Sequence, residues 1–222
     1  MNIGIVLAGG SGSRMGQTDK PKQFIEVYGK PIVIHTLEAF EIHAEIDKIA
    51  VVCLKEWMEE LKILIRKYEL SKVEWIIEGG SSRQESTNNS IKFLEDICKE
   101  DDVLLIHDAA RPLIASRIIS ENISAAQKFG AVDTVIPSSD TIVCSYEGEF
   151  IDNIPRRKEY YLGQTPQSFK YGIIKKAYET IYEVGYEGAT DDCKIVKKYG
   201  HSISLVMGDK VNFKITTSDD LM

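Results

Sequence analysis

Residues 7–24 read LAGGSGSRMGQTDKPKQF, directly behind the apolar run Ile3, Gly4, Ile5, Val6 and Leu7. Such a run reads as a buried strand. Gly9, Gly10, Gly12 and Gly16 then let backbone N–H groups approach an anion with no Cβ in the way. Three glycines within four residues are entropically costly to order, which argues for a ligand that repays the ordering. Arg14, Lys20 and Lys22 supply the cations that a triphosphate needs most when it is cleaved and charge builds on its leaving oxygens. The rival motifs do not fit. A P-loop requires a lysine followed by Ser or Thr at fixed spacing, and a dinucleotide fingerprint requires Gly-x-Gly-x-x-Gly, whereas Gly10, Gly12 and Gly16 are one residue too far apart.

Outward from this segment, strand-like runs at 3–7, 48–53, 73–77, 103–106 and 131–136 alternate with helix-period segments at 32–42, 56–68, 83–99 and 116–129, the last stopped by Gly130. This alternation predicts an α/β fold, a Rossmann-like, mainly parallel sheet with flanking helices. The chain of 222 residues suits one domain over residues 1–222. Ligands of such sheets sit beyond the carboxyl ends of the strands, which gathers the loops at 8–22, 79–86 and 107–112 onto one edge.

The second loop, GGSSRQES, suits hydrogen bonding of a base and ribose through its backbone and Ser86, and equally suits a helix start capped by Ser81 or Ser82. The third, HDAARP, sets Asp108 at the end of an apolar strand with Arg111 three residues on. A lone carboxylate there suits Mg²⁺, which keeps waters and substrate phosphates as its other ligands. A plain Asp108–Arg111 ion pair is the alternative. His35 and His107 read as structural. Between 137 and 166 the β-prone pieces TIVCS and EFIDNI, separated by Glu147 and Gly148, predict a hairpin arm at about 138–160, and an isolated hairpin calls for a second copy of the chain to pack against. The basic run Arg156, Arg157 and Lys158 reads as a solvated face or as a group reaching a partner's phosphate site.

Net charge of −7 and a pI near 5.2 speak against a nucleic-acid partner. No apolar stretch approaches the roughly 18 residues of a membrane span, so no membrane partner and a cytoplasmic location are expected. Cys53, Cys98, Cys144 and Cys193 are scattered without metal spacing and read as reduced thiols.

Taken together, LAGGSGSRMG with PKQF, GGSSRQES, HDAARP, DTIV, GQTPQSF and NFKITTSDDL, in that order along almost the whole chain, resemble the cytidylyltransferases that act on polyol phosphates. That family includes the methylerythritol phosphate enzymes of isoprenoid synthesis and the ribitol-5-phosphate enzymes of teichoic acid and capsule synthesis. The stretches GAVDTVI, IPRRKEYYLGQTPQSF and DDCKIV are similar to the ribitol group, so CTP and D-ribitol 5-phosphate are the expected substrates, with methylerythritol 4-phosphate as the alternative acceptor. The resemblance implies that Leu7, Ala8, Gly9, Gly10 and Gly12 wrap the CTP phosphates, and that Arg14, Lys22 and Lys214 are the catalytic cations. It implies that Gly80, Ser81, Arg83, Ser86 and Ala109 contact the nucleoside, although Ser81 stands where many relatives carry an acidic residue. Asp108 matches the Mg²⁺-associated aspartate and Arg111 an acceptor contact. Thr141 and Arg157 match residues that the arm carries across a homodimer to the acceptor phosphate, joined by Thr190. A sugar-1-phosphate nucleotidyltransferase and a non-catalytic nucleotide-binding module are the competing readings.

Overall fold

The computed structural model describes residues 1–10, 20–184 and 191–221, with backbone alone at 182–184. The opening apolar run is β1 (Asn2–Ala8), and its pleat sorts its side chains between two cores, Ile3 and Ile5 on one face, Val6 and Ala8 on the other. A short antiparallel pair follows, β2 (Glu26–Val27) with β3 (Lys30–Pro31), and then α1 (Ile32–Glu41). The alternation continues through β4 (Lys48–Cys53), α2 (Met58–Lys67), β5 (Val73–Glu78), α3 (Arg83–Phe93), β6 (Val103–Asp108) and α4 (Ser116–Phe129). The chain then runs through β7 (Ala131–Pro137), β8 (Tyr161–Lys170), α5 (Tyr171–Val184), α6 (Asp192–Lys198) and β9 (Ser204–Met207).

Seven strands form one sheet in the order β5-β4-β1-β6-β8-β7-β9. Within it β8 runs against both neighbours, and the remaining pairings are parallel. The apolar stripes of α1, α2 and α4 cover one face, and those of α3, α5 and α6 the other. Glycine is required at one point of closest packing: a Cβ on Gly4 would lie 2.7 Å from the Phe40 ring, so α1 can approach β1 closely because that side chain is missing. Gly130 ends α4 with φ of +87°, as its stop position in the sequence predicts. No helix among the described residues is long and apolar enough to cross a membrane.

The five predicted strands are present, while three predicted segments differ. α3 stops at Phe93 rather than continuing to residue 99, because Leu94 leaves the helical range. Ile97 and Cys98 still pack against the core from the turns that follow, which is why the apolar periodicity runs on. α2 is preceded by a separate 3₁₀ turn, Lys55–Trp57. TIVCS and EFIDNI do not pair as regular strands: residues 138–160 form an irregular excursion with a single antiparallel bridge, Cys144 to Asn153. Val143, Phe150 and Ile151 are half to four-fifths exposed, so no buried face fixes a register there. The regular hairpin is the β7–β8 pair from which the arm projects.

Candidate functional site

The loops that follow β1, β5 and β6 meet, as the topology requires, around a cleft of about 440 Å³ lined by Gly9, Gly10, Lys22, Ser81, Arg83 and Asp108, among others. Lys22 opens a 3₁₀ turn, Lys22–Phe24, and donates from Nζ to the Ile215 carbonyl at 2.8 Å. Its neighbour Gln23 is buried and donates from Nε2 to the carbonyls of Ala8 at 2.6 Å and Gly10 at 3.0 Å, so the turn braces the glycine-rich segment from behind.

Asp108 ends β6 at the centre of the cleft. Lys214 Nζ lies 2.9 Å from its Oδ2, Arg111 Nε 3.4 Å from the same oxygen and Arg83 Nε 3.7 Å from Oδ1. Burial alone would push this carboxyl up, but Lys214, Arg83 and Arg111 outweigh it and hold the group well below the usual carboxylate range. The loop is anchored on all sides. Asp108 N–H donates to Thr165 Oγ1, Thr36 Oγ1 donates to the Ala109 carbonyl, and Ile215 N–H donates to the Ala110 carbonyl. His107 completes the support with Nε2 on the Arg111 carbonyl at 3.1 Å and Nδ1 on Thr165 Oγ1 at 2.9 Å. It is fully buried, and burial brings its pKa down to about 4, so the ring is a neutral strut, as its structural reading implies.

At the opposite wall, Ser82 caps α3 by accepting from Glu85 N–H, while Ser86 Oγ accepts from Gly80 N–H at 3.0 Å and donates to the Ser82 carbonyl. The segment is thus a helix start capped by Ser82, and it also lines the cleft. Arg83 reaches from that helix start to Asp192, with Nη1 2.6 Å from Oδ2.

Leu7, Gly9, Gly10, Lys22, Gly80, Ser81, Arg83, Ser86, Asp108, Ala109 and Lys214 all line the cleft. Ala8 is buried beside them in β1, and Arg111 meets Asp108 at its edge. Gly12, Arg14 and Thr190 lie outside the described residues. Thr141 and Arg157 are not brought into the cleft of their own chain. They are exposed on the arm, where Arg157 Nη1 donates to the Ser139 carbonyl at 2.9 Å. Four residues escape a reading by motif: Gln23, Thr165, Asp192 and Asn212, the last donating to Gln164 and to the Thr165 carbonyl. All four lie within PKQF, GQTPQSF, DDCK and NFKITTSDDL, segments whose contacts only the fold reveals.

The cleft is cationic at its wall and carboxylate-bearing at its centre, an arrangement that neutralises a polyanion and leaves one acidic group for a hard cation. No cluster of three His, Cys, Asp or Glu side chains able to hold a metal occurs among the described residues. A single carboxylate fits Mg²⁺ only with phosphate and water as the other ligands, which is the mode this cleft allows. Thiol chemistry is disfavoured, since burial pushes Cys53 up to about 12.

Comparison with known proteins agrees with this geometry. The family model described as IspD, 2-C-methyl-D-erythritol 4-phosphate cytidylyltransferase, matches residues 3–222. Among solved structures, 4-diphosphocytidyl-2C-methyl-D-erythritol synthase from Anaerococcus prevotii superposes with a TM-score of 0.85 at 30% identity, over 99% of this chain and 92% of that one. The 2-C-methyl-D-erythritol 4-phosphate cytidylyltransferase of Francisella tularensis gives 0.81 at 27%, over 100% and 97%. The enzyme of that name from Thermus thermophilus gives 0.77 at 28%, over 100% and 96%.

Proposed function

Because the chain belongs to the 2-C-methyl-D-erythritol 4-phosphate cytidylyltransferase family, we propose that it transfers the cytidylyl group of CTP to that polyol phosphate. The products are the CDP-polyol and pyrophosphate. The observation that carries this reading is Asp108 held among Lys214, Arg111 and Arg83 at the centre of the glycine-rich cleft. The expectation of ribitol 5-phosphate as the first-choice acceptor gives way, since the relatives reported above are all methylerythritol phosphate enzymes by name.

In this reading an oxygen of the acceptor's phosphomonoester attacks the α-phosphorus of CTP in line. The bond to the bridging oxygen of pyrophosphate breaks, and no covalent enzyme intermediate forms. The nucleophile is already anionic near neutral pH, so positioning and charge neutralisation matter more than a base. Gly9 and Gly10 approach the phosphates with their backbone, Lys22 and Lys214 neutralise charge growing on the α-phosphate and the leaving group, and Arg14 joins them by its place in the sequence motif. Gly80, Ser81 and Ser86 bind the nucleoside against Ala109. Arg111 meets the acceptor phosphate, with Thr141, Arg157 and Thr190 as further acceptor contacts, the first two contributed by the arm of a second copy. Asp108 would hold Mg²⁺ together with substrate phosphate and water, and the ion would supply charge neutralisation to the triphosphate.

Ribitol 5-phosphate stands as a second reading on the resemblance of GAVDTVI, IPRRKEYYLGQTPQSF and DDCKIV to the ribitol group. Pyrophosphate release with CTP and Mg²⁺ separates them. Turnover with methylerythritol 4-phosphate is expected, turnover with ribitol 5-phosphate alone would transfer the assignment to that acceptor, and no release with either would remove the catalytic reading.

A further inference from the structure

Arg83 stands between two carboxylates, and they hold it unequally. Asp192 grips Nη1 at 2.6 Å, whereas Asp108 has Nε at 3.7 Å. Asp192 is fully buried and has no role in the transfer chemistry described above. Its Oδ1 accepts from Tyr178 OH at 2.5 Å, and its own N–H donates to Gln167 Oε1 at 3.0 Å. The carboxylate thus ties α5 to the start of α6 while its backbone N–H ties in β8, and its remaining oxygen faces one guanidinium. A carboxylate taken fully out of water is costly unless every lone pair finds a strong donor, and here two strong donors compensate it.

The geometry points to Asp192 as a positioning residue for nucleotide binding, acting through Arg83. The guanidinium has a planar fork that pairs readily with a carboxylate through two parallel hydrogen bonds. Without Asp192, Arg83 is released to close such a pair on Asp108, withdrawing from the cleft wall and occupying Oδ1, the carboxylate oxygen that Lys214 and Arg111 leave to it. With Asp192 in place, Arg83 is held at the wall and Asp108 keeps only a longer contact with it. This inference rests on the cytidylyl-transfer reading.

CTP affinity measured by calorimetry without acceptor tests it, using Asp192→Asn, which keeps volume and removes charge. We expect Asp192→Asn to weaken CTP binding by about tenfold or more, the scale of a lost buried charge-assisted contact. The Arg83→Gln variant should lose as much, and the double variant no more than Arg83→Gln alone, because both changes remove one interaction. Losses that multiply, or unchanged affinity in Asp192→Asn, overturn the inference while leaving the function standing. Absence of CTP binding to the unaltered protein overturns the function and the inference with it. The unaltered protein gives a second readout that no folding defect affects. The Arg83 guanidinium resonances, assigned by their loss in Arg83→Gln, should show hindered rotation before CTP is added, and a freely rotating guanidinium there overturns the proposal.

Discussion

Lys22 and His107 illustrate two kinds of residue in one cleft. Lys22 places an ammonium at the rim from a turn whose next residue, Gln23, is buried and bonded to the glycine-rich segment, so its position is set in advance of substrate. Lys22→Ala is expected to reduce turnover by about 10² or more, as removal of one preorganised charge-stabilising donor does. Steady-state pyrophosphate release checks this, and a near-normal rate contradicts the catalytic role. His107 contributes nothing to charge at neutral pH. Its native pKa lies near 4 chiefly through burial, against 6.5 for the unfolded side chain. The unfolded chain therefore takes up a proton before the native one, and stability falls as pH drops from about 6.5 towards 4, by up to about 3 kcal/mol. Asp108 has the opposite sign: its depressed pKa gives stability that is fully present above the unfolded value near 3.8 and is lost only below it, outside that window. Asp133, pushed up to about 6 chiefly by burial, gains stability as pH falls through the same window, so the His107 loss is read as the difference between the unaltered protein and His107→Gln in urea unfolding at pH 4.5 and pH 7.

Among the elements, β1 and α1 meet where Gly4 leaves room for Phe40. Gly4→Ala puts a methyl 2.7 Å from that ring and should destabilise the fold by about 1–3 kcal/mol, read as a lower urea midpoint with an unchanged m-value. The elements that the sequence reveals are those with one apolar logic throughout: β1, β4, β5, β6 and β7 are short apolar runs, and α4 is amphipathic from Ser116 to Phe129. β8 is opaque because its centre is polar. Gln164, Thr165, Gln167 and Ser168 are all buried, each satisfied by a partner distant in sequence, and Pro166 argues against a strand on local grounds. β9 is four residues long with two of them well exposed, too little for alternation to register. The site divides in the same way. Gly9, Ser81, Arg83, Asp108 and Arg111 sit at or just beyond the carboxyl ends of strands, and Lys22 in the turn that closes the first connection, where spacing exposes them. Gln23, Thr165 and Asp192 act on carbonyls, amides and side chains brought in by the tertiary fold, and no local pattern announces such partners.

For the whole molecule, the arm carries the surface on which the expected homodimer depends. Phe150 and Ile151 are 79% and 61% exposed, Ile154 is 57% exposed, and the acceptor-binding candidates Thr141 and Arg157 are exposed on the same arm and do not line the cleft of their own chain. A second copy is the occupant that would cover this surface and receive those side chains. Replacing Phe150 and Ile151 together with Asp is expected to shift sedimentation from dimer to monomer and to raise the KM for the polyol phosphate, with CTP affinity retained. Arg157→Ala should raise that KM about tenfold or more without changing the sedimentation, on the scale of a lost charged hydrogen bond. The reversed strand β8 has a consequence of another kind, for the order in which the molecule is built. β7 pairs with β8 and β9 and not with β6, so β8 is the only bridge between the two parts of the sheet among the described residues. During synthesis β1, β4, β5 and β6 can associate once residue 108 has left the ribosome, while β7 waits for a strand that begins 23 residues after it ends. Thr165, which props Asp108 from beneath, arrives with that late strand. The nascent chain therefore carries a half-sheet with an unfinished cleft until its last quarter emerges, and the polypeptide gains its glycine-rich segment early and its central carboxylate support late.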